Sequence, residues 1–485
     1  MCGTRGTERI PPPFPCVPDN RKKENRRHEL PPPSRFRALG AACLALAVFA
    51  LSAPNASAKW IWDASAGTLT ADGSGLTPAG TALKGGTTAG NWGRNIVGGQ
   101  VQLTGVSVAA SVVDLTEPIE TADGTAKTLE SIADRTFNGN TTVEAVFLPD
   151  SVKWIGQQAF NGCTSLKDIG HLPSQLYQLG GGAFNGCTSL TNEIVIPAGF
   201  RGSTWNSFNN TQVTGDIVWP ANAGDVQVLD WAGTRITSFT IVEGANCKMI
   251  RRQAFQNCTS LTNVVLNEGL TTIGEGSYGQ SDAWHGCTKL VPFPIPSTVT
   301  DIGHNAFYDC KSFTGEFVWP EQVPVLTANC FNGSGISSFV AKTGLREIRQ
   351  QVFQNCANLT TVVLPDTLET MSQPSWAQSI VGLTVYWRAC PANALTGGLY
   401  VDWGSGKNRT HYFSATPENV AAWTAYAESD LVNDGTNYKT FLLPGLLANG
   451  NPDYGAVGTA GQEGGKIYWW KDPDLLPPPT IVMVK

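Results

Sequence analysis

Twelve cysteines are the residues of this chain best suited to chemistry, and their spacing limits what that chemistry is. Nine lie beyond residue 58, and six of them, Cys163, Cys187, Cys258, Cys287, Cys310 and Cys356, stand three places after an aromatic residue. No C-x-x-C pair is present to hold zinc or to cycle between dithiol and disulfide. Cysteines at one fixed place in stacked units would bring neighbouring Cα atoms within roughly 5 Å, inside bridging range, but with parallel Cα–Cβ directions that suit a bridge poorly. Two readings stay open: small buried thiols lining a core, or a few bridges formed after export. The five histidines offer no second ligand at fixed spacing, so no metal site is expected. His285 and His304 fall where other copies carry Asn or Gln, and they read as variable surface positions. H-E-x-x-H and G-x-S-x-G are absent. GSGK at 404–407 fails as a phosphate loop, because residue 401 is Val and Asn408 replaces the hydroxyl residue. These residues give no catalytic site and no cofactor.

What positions the cysteines is a repeat. AFNGCTSL at 159–166 returns unchanged at 183–190 and as AFQNCTSL at 254–261. Its aromatic recurs as Phe137, Phe160, Phe184, Phe208, Trp231, Phe255, Trp284, Phe307, Phe331, Phe353 and Trp376, at steps of 22 to 24 residues with one step of 29. The long step holds EGSYGQSD, a Gly/Ser-rich insertion of the kind that forms a loop. Within a unit, apolar residues follow the aromatic at about six, nine and eleven places, as Leu261, Val264 and Leu266 follow Phe255. The last step of two is strand spacing. A second apolar pair three apart, such as Val152/Ile155 or Leu270/Ile273, fits a short strand or a 3₁₀ turn. About 23 residues cannot bury their own apolar set, so neighbouring units must stack and share one core.

The composite pattern L-x-x-[VI]-x-[LI]-P, S-V-x-x-I-G and A-F-x-x-C-x-x-L resembles the Treponema-type leucine-rich repeat of BspA-like surface proteins. The resemblance covers about residues 137–390, with the copies at Phe208, Trp231, Phe331 and Trp376 lacking the cysteine. It implies a mainly β, leucine-rich-repeat solenoid of about eleven units of about 23 residues with N- and C-terminal caps. It also implies an exported protein of a kind described as adhesins that bind matrix proteins or other cells, with no shared catalytic residues.

Residues 1–58 read as a secretory signal: basic residues and Pro runs, an apolar stretch from Ala38 to Ala53, and the small-residue site Ala56-Ser57-Ala58. The n-region is long and Pro-rich, which suggests that the true start lies downstream of Met1. Removing the segment leaves 24 basic and 35 acidic residues, a net charge of −11, which does not seek nucleic acid or anionic lipid. No transmembrane helix is expected in the mature chain, whose location is then secreted or cell-surface. Residues 59–136, with Trp60 and Trp62, read as an N-terminal cap and first strands, VVDLTEPI opening the stack. Residues 137–390 form the repeat, and 391–485 a C-terminal cap or small β-rich module with one helix starting at Thr416 or Pro417.

Alternation sends one residue per strand away from the core: Phe147, Val195, Val218, Thr240, Val265, Pro294, Val318, Val340 and Val363. This apolar column either stabilises the sheet surface through cross-strand packing or marks a protein-binding face. Its apolar members Phe147, Val195, Val218, Val265, Val318, Val340 and Val363 are the candidate binding residues. A polar column beside it, Asp168, Glu193, Asp216, Ser238, Asn263, Glu316, Ser338 and Thr361, resembles an interface rim. Trp231, Trp284 and Trp376 hold the aromatic site, and Trp219 and Trp319 align with core Ile196. Trp387, Trp403, Trp423, Trp469 and Trp470 lie outside the register, so a carbohydrate-binding C-terminal module is the alternative, with a hydrolase of unrecognised site as a third reading. The leading expectation is a non-enzymatic binder of an extracellular protein or cell-surface ligand. N-terminal sequencing of secreted protein is expected to begin at Lys59; any other first residue relocates the cleavage site.

Overall fold

The computed structural model describes residues 59–485 apart from 67, 74, 87–99, 109, 276–280, 372–379, 391–408, 429–440, 450, 461–464 and 472–485. The expected signal segment, Trp376, Trp403 and the GSGK stretch lie outside the described residues. The chain is mainly β, and Pro417–Glu428 is the one helix among the described residues.

The units contribute to three kinds of ladder that run from one unit to the next. The wide ladder comes from the strand expected after each aromatic. Asp216–Trp219, Ser238–Ile241 and Asn263–Val265 pair in parallel with Ile217, Phe239 and Val264 in register. Gly315–Trp319, Ile336–Ala341, Thr361–Leu364 and Thr384–Trp387 continue the pattern further along. The narrow ladder settles the apolar pair spaced by three as a short strand, since Met249–Ile250, Thr272–Ile273 and Asp301–Ile302 pair in parallel. Val325–Leu326, Glu347–Ile348 and Thr370–Met371 do the same.

The third ladder is the aromatic turn. The Phe160 N–H donates to the Ala183 carbonyl at 2.8 Å, Phe184 to Ser207 at 2.9 Å and Phe208 to Asp230 at 2.9 Å. The rings follow the amides: Phe160 and Phe184 stack at 5.1 Å and 2°, Phe184 and Phe208 at 5.3 Å and 7°. Trp284 takes the same place between Phe255 and Phe307, at 6.1 and 5.5 Å. Two residues after each described ring, from Gly139 to Asn355, the backbone is left-handed, with φ between 54° and 76°. Only Gly, Asn and Asp occupy that place, the residues that enter this region at least cost.

The segment carrying Trp60 and Trp62 forms more than an edge cover. Trp60–Asp63, Thr68–Ala71, Ala82–Gly86, Gln100–Val108 and Ala126–Ile132 pair in succession, and Ile119–Thr121 joins the last of these back to the first. The result is a closed six-stranded ring, which has no free edge of its own. Ala126–Ile132 also pairs with Trp154–Ile155, so the ring hands its hydrogen bonds to the narrow ladder. Val112–Asp114 pairs with Ala145–Phe147 and opens the wide ladder, and the buried Trp60 Nε1 donates to the Asp114 carbonyl at 2.7 Å.

At the other end the wide ladder outlasts the sequence period. Thr384–Trp387 pairs with Thr410–Ser414, and that strand with Gly465–Trp470, before Gly458–Ala460 and Phe441–Leu442 finish the sheet antiparallel. Leu364, Trp387, Phe413 and Trp469 form one core column in register. The helix begins as expected, with the Asn419 N–H on Thr416 Oγ1 and Pro417 in the first turn, where its missing N–H costs little. Its Trp423 stacks on Phe413 at 4.0 Å.

A Cβ added at Gly186 would meet nothing nearer than 3.8 Å, so Gly186→Ala strains only the backbone and should cost about 1–2 kcal/mol. Phe184→Ala removes a stacked, buried ring and should cost about 3–5 kcal/mol. Urea denaturation of the mature chain checks the order; an equal loss for the two would show that the ring column carries no special weight.

Candidate functional site

Strand alternation places the expected outward residues on one side of the wide ladder. In Asp216–Trp219, Asp216 and Val218 are exposed while Ile217 and Trp219 are buried. Val218, Val265 and Val318 expose 50, 46 and 47 %, and Val195, which lies outside any strand, exposes 70 %. Val340 and Val363 correct the expectation, at 2 and 1 % exposed. The difference follows position in the ladder. Val218, Val265 and Val318 sit on terminal strands of their parallel runs, whereas Val340 is flanked in register by Val318 and Val363, and Val363 by Val340 and Tyr386. Thr240, flanked by Val218 and Val265, is half-buried in the same way. Pro294 is exposed, and with Pro292 it removes two backbone donors from the segment, and no strand of the wide ladder forms between Asn263–Val265 and Gly315–Trp319. Val291 there exposes its side chain while its N–H still reaches the Thr262 carbonyl at 3.1 Å.

The polar column runs beside these valines, and its acids are held by their own neighbours. Asp216 Oδ1 accepts from Thr237 Oγ1 at 2.7 Å and Ser238 Oγ at 2.8 Å. Those two hydroxyls, Thr237 first, hold its carboxyl below the ordinary aspartate value. Asp168 Oδ1 accepts from the Gly170 N–H at 2.7 Å and from Asn192 Nδ2 at 2.8 Å. Asp216 stands beside the exposed Val218, the arrangement of an interface core and rim.

Sequence reasoning missed the continuation of the outward column. Val363, Tyr386, Tyr412 and Tyr468 are in register. The tyrosine rings stack at 4.8 and 5.3 Å, and Trp470 meets Tyr386 edge-on at 5.2 Å. Rings stacked along a ladder turn their faces to one another and present edges and hydroxyls outward, so the column offers few free faces for a sugar. Trp387, Trp423 and Trp469 are buried, which corrects the reading of these tryptophans as an exposed carbohydrate surface. They lie outside the sequence register because the steps from Trp387 to Phe413 and from Phe413 to Trp469 are 26 and 56 residues.

All nine cysteines beyond residue 58 are free. The six that follow an aromatic by three share one partner type: each Sγ donates to the ring residue's carbonyl in the preceding unit. Cys163 reaches Phe137 at 3.0 Å, Cys187 reaches Phe160 at 3.0 Å and Cys356 reaches Phe331 at 2.8 Å. Cys258, Cys287 and Cys310 do the same to Trp231, Phe255 and Trp284 at 2.9, 3.0 and 3.2 Å. In units without the cysteine, Thr211 and Thr234 occupy the place and bond to Phe208 and Trp231 carbonyls at 2.8 and 2.7 Å. The place calls for a small donor rather than a redox sulfur. Burial pushes the Cys356 thiol up to about 11, and the Cys163 thiol together with burial holds Cys187 above its ordinary value, which keeps these two protonated and able to donate.

His285 and His304 are half-buried rather than free on the surface, whereas His171 is exposed. His285 packs on Tyr308 at 4.6 Å with Nδ1 3.4 Å from Asp282 Oδ1. Burial, then the Arg349 charge, holds His304 below the usual histidine value. Among the described residues no group of three or more His, Cys, Asp and Glu is arranged to hold a metal ion, and no helix is long and apolar enough to cross a membrane.

A cleft of about 270 Å³ opens at the start of the outward column, lined by Leu76, Asp114, Thr116, Phe147, Leu148, Ile169, Gly170 and His171. Gly170 creates it, since the column there has no side chain. A Cβ at Gly170 would stand 3.0 Å from the half-buried Phe147 ring on a backbone with φ of 64°.

Residues 125–228, 230–282 and 279–384 match, in six copies, the family model described as a BspA type leucine-rich repeat region. No curated protein matches the chain. Among solved structures, a leucine-rich repeat protein from Bacteroides ovatus is similar at 16 % identity over 67 % of this chain and 93 % of that one, with a TM-score of 0.40. The leucine-rich repeat protein of T. pallidum is 25 % identical over 44 % of this chain and 82 % of its own, TM-score 0.30. A leucine-rich cell surface protein from Faecalibacterium prausnitzii is 19 % identical over 61 % of this chain and 92 % of its own, TM-score 0.36.

Thiol titration of unfolded mature protein should count nine free thiols, and the native protein should leave all but the half-buried Cys390 unreacted. A lower count in the unfolded state would place bridges in the cysteine column.

Proposed function

Because the chain belongs to the BspA-type leucine-rich repeat family, we propose that it is an exported, non-enzymatic protein that binds an extracellular protein or cell-surface ligand. In this reading the repeats form one solenoid of about eleven units between the ring and the C-terminal strands, and the outward side of the wide ladder meets the partner. The observation that carries the reading is the row of exposed aliphatic side chains at Val195, Val218, Val265, Val291 and Val318, bordered by Glu193, Asp216 and Glu316. A fold that buries its rings, its cysteines and most of its tryptophans so completely leaves such a row exposed at a cost, and contiguous exposed apolar surface marks interaction sites. Location at the cell surface is the setting in which such a face is useful.

The test is equilibrium binding of residues 59–485 to immobilised matrix glycoproteins and polysaccharides, with released products assayed alongside. Saturable binding to a protein is expected, with V265K and V318K each weakening it about tenfold or more while leaving the thermal midpoint within a few degrees. Polysaccharide binding or turnover, or unaltered protein binding by both variants, would remove the outward valines from the function.

A further inference from the structure

We propose that the cleft at Gly170 is an anchor for one arginine side chain of the protein partner. The inference rests on the binding-face reading only for the partner's being a protein. At about 270 Å³ the cleft lies below the usual range for a whole small ligand and has room for a single long side chain. Much of its wall is apolar, with Leu148 and Ile169 buried and Leu76 and Phe147 more open, while Thr116 and His171 complete the lining, the His171 ring turned to Asp150 with Nε2 3.4 Å from Oδ1. Apolar walls suit the methylene stem of a basic residue, whose charged head must then find an acid.

The acids stand at one end. Asp114 lines the cleft and lies in register with Phe147. Glu117 is tied to the Leu76 N–H at 3.1 Å, beside the same opening. The partners of the Asp114 carboxylate are the Thr116 N–H and hydroxyl. Among the described residues neither Asp114 nor Glu117 pairs with a lysine or arginine. Burial first, then the Asp114 charge and last Asp72, raises the Glu117 carboxyl above its ordinary value. A planar guanidinium can lie against the Phe147 ring while bonding a carboxylate, which an ammonium does less well.

The experiment uses the mature chain and three labelled peptides, Gly-Gly-Xaa-Gly-Gly with arginine, lysine or norleucine at the centre, titrated by fluorescence anisotropy at low and high salt. The arginine peptide should bind about tenfold more tightly than the norleucine peptide, with lysine between them, and added salt should narrow the gap. E117Q keeps the acceptor for the Leu76 N–H but removes the charge, and F147L keeps the apolar wall but removes the ring. Each should weaken the arginine peptide several-fold and leave norleucine unchanged. Equal affinity for arginine and norleucine, absence of saturable arginine binding, or indifference to both E117Q and F147L would overturn the anchor. V265K and V318K separate the two readings, because they should weaken protein binding about tenfold or more and spare the arginine peptide. Arginine binding retained after every protein ligand has failed would sustain the cleft and sink the wider face.

Discussion

The amide of each ring residue, donated to the carbonyl of the next unit, is the constraint from which the rest follows. That bond sets the unit-to-unit distance, and the same distance lets ring stack on ring, as Phe160, Phe184 and Phe208 do at 5.1 and 5.3 Å. Rings stacked at that spacing go with the same turn in each copy, Phe or Trp alike, with a left-handed residue two places on. The cysteines are therefore a consequence of turn geometry. Thr211 and Thr234 show this, since they keep a donor at the place and dispense with sulfur.

Periodicity made the middle of the molecule legible. The spacing of Leu261, Val264 and Leu266, the alternation around Val218 and the aromatic column were all readable because identical environments select similar residues at one interval. The ends were harder to read for the opposite reason. The ring around Trp60 joins Ile119–Thr121 to Trp60–Asp63 across more than fifty residues and has no repeat to announce it. The C-terminal strands keep the ladder but change their connections, so Trp387 and Trp469 stand in the core column without standing in the sequence period.

The outward face shows a finer limit. Alternation assigns a side to Val340 and Val363 correctly, yet exposure depends on what flanks a residue in register, and the flanking residues are far away in sequence. The notch at Gly170 is the complementary case. A missing side chain leaves no signal in an apolar pattern, and only the placement of Phe147 next to the gap, with Asp114 in register beyond it, gives the gap a meaning.

The two prolines at 292 and 294 break the wide ladder between Asn263–Val265 and Gly315–Trp319 while leaving the ring column intact through Trp284 and Phe307. Across that gap the outward side of the sheet is in two pieces, while the stacked rings from Phe255 to Phe331 and the pairing of Thr272–Ile273 with Asp301–Ile302 carry the stack through without interruption. The continuity of the stack therefore resides in its core and its narrow ladder, and the outward side is free to change register, or to lose a strand, without breaking the chain of units.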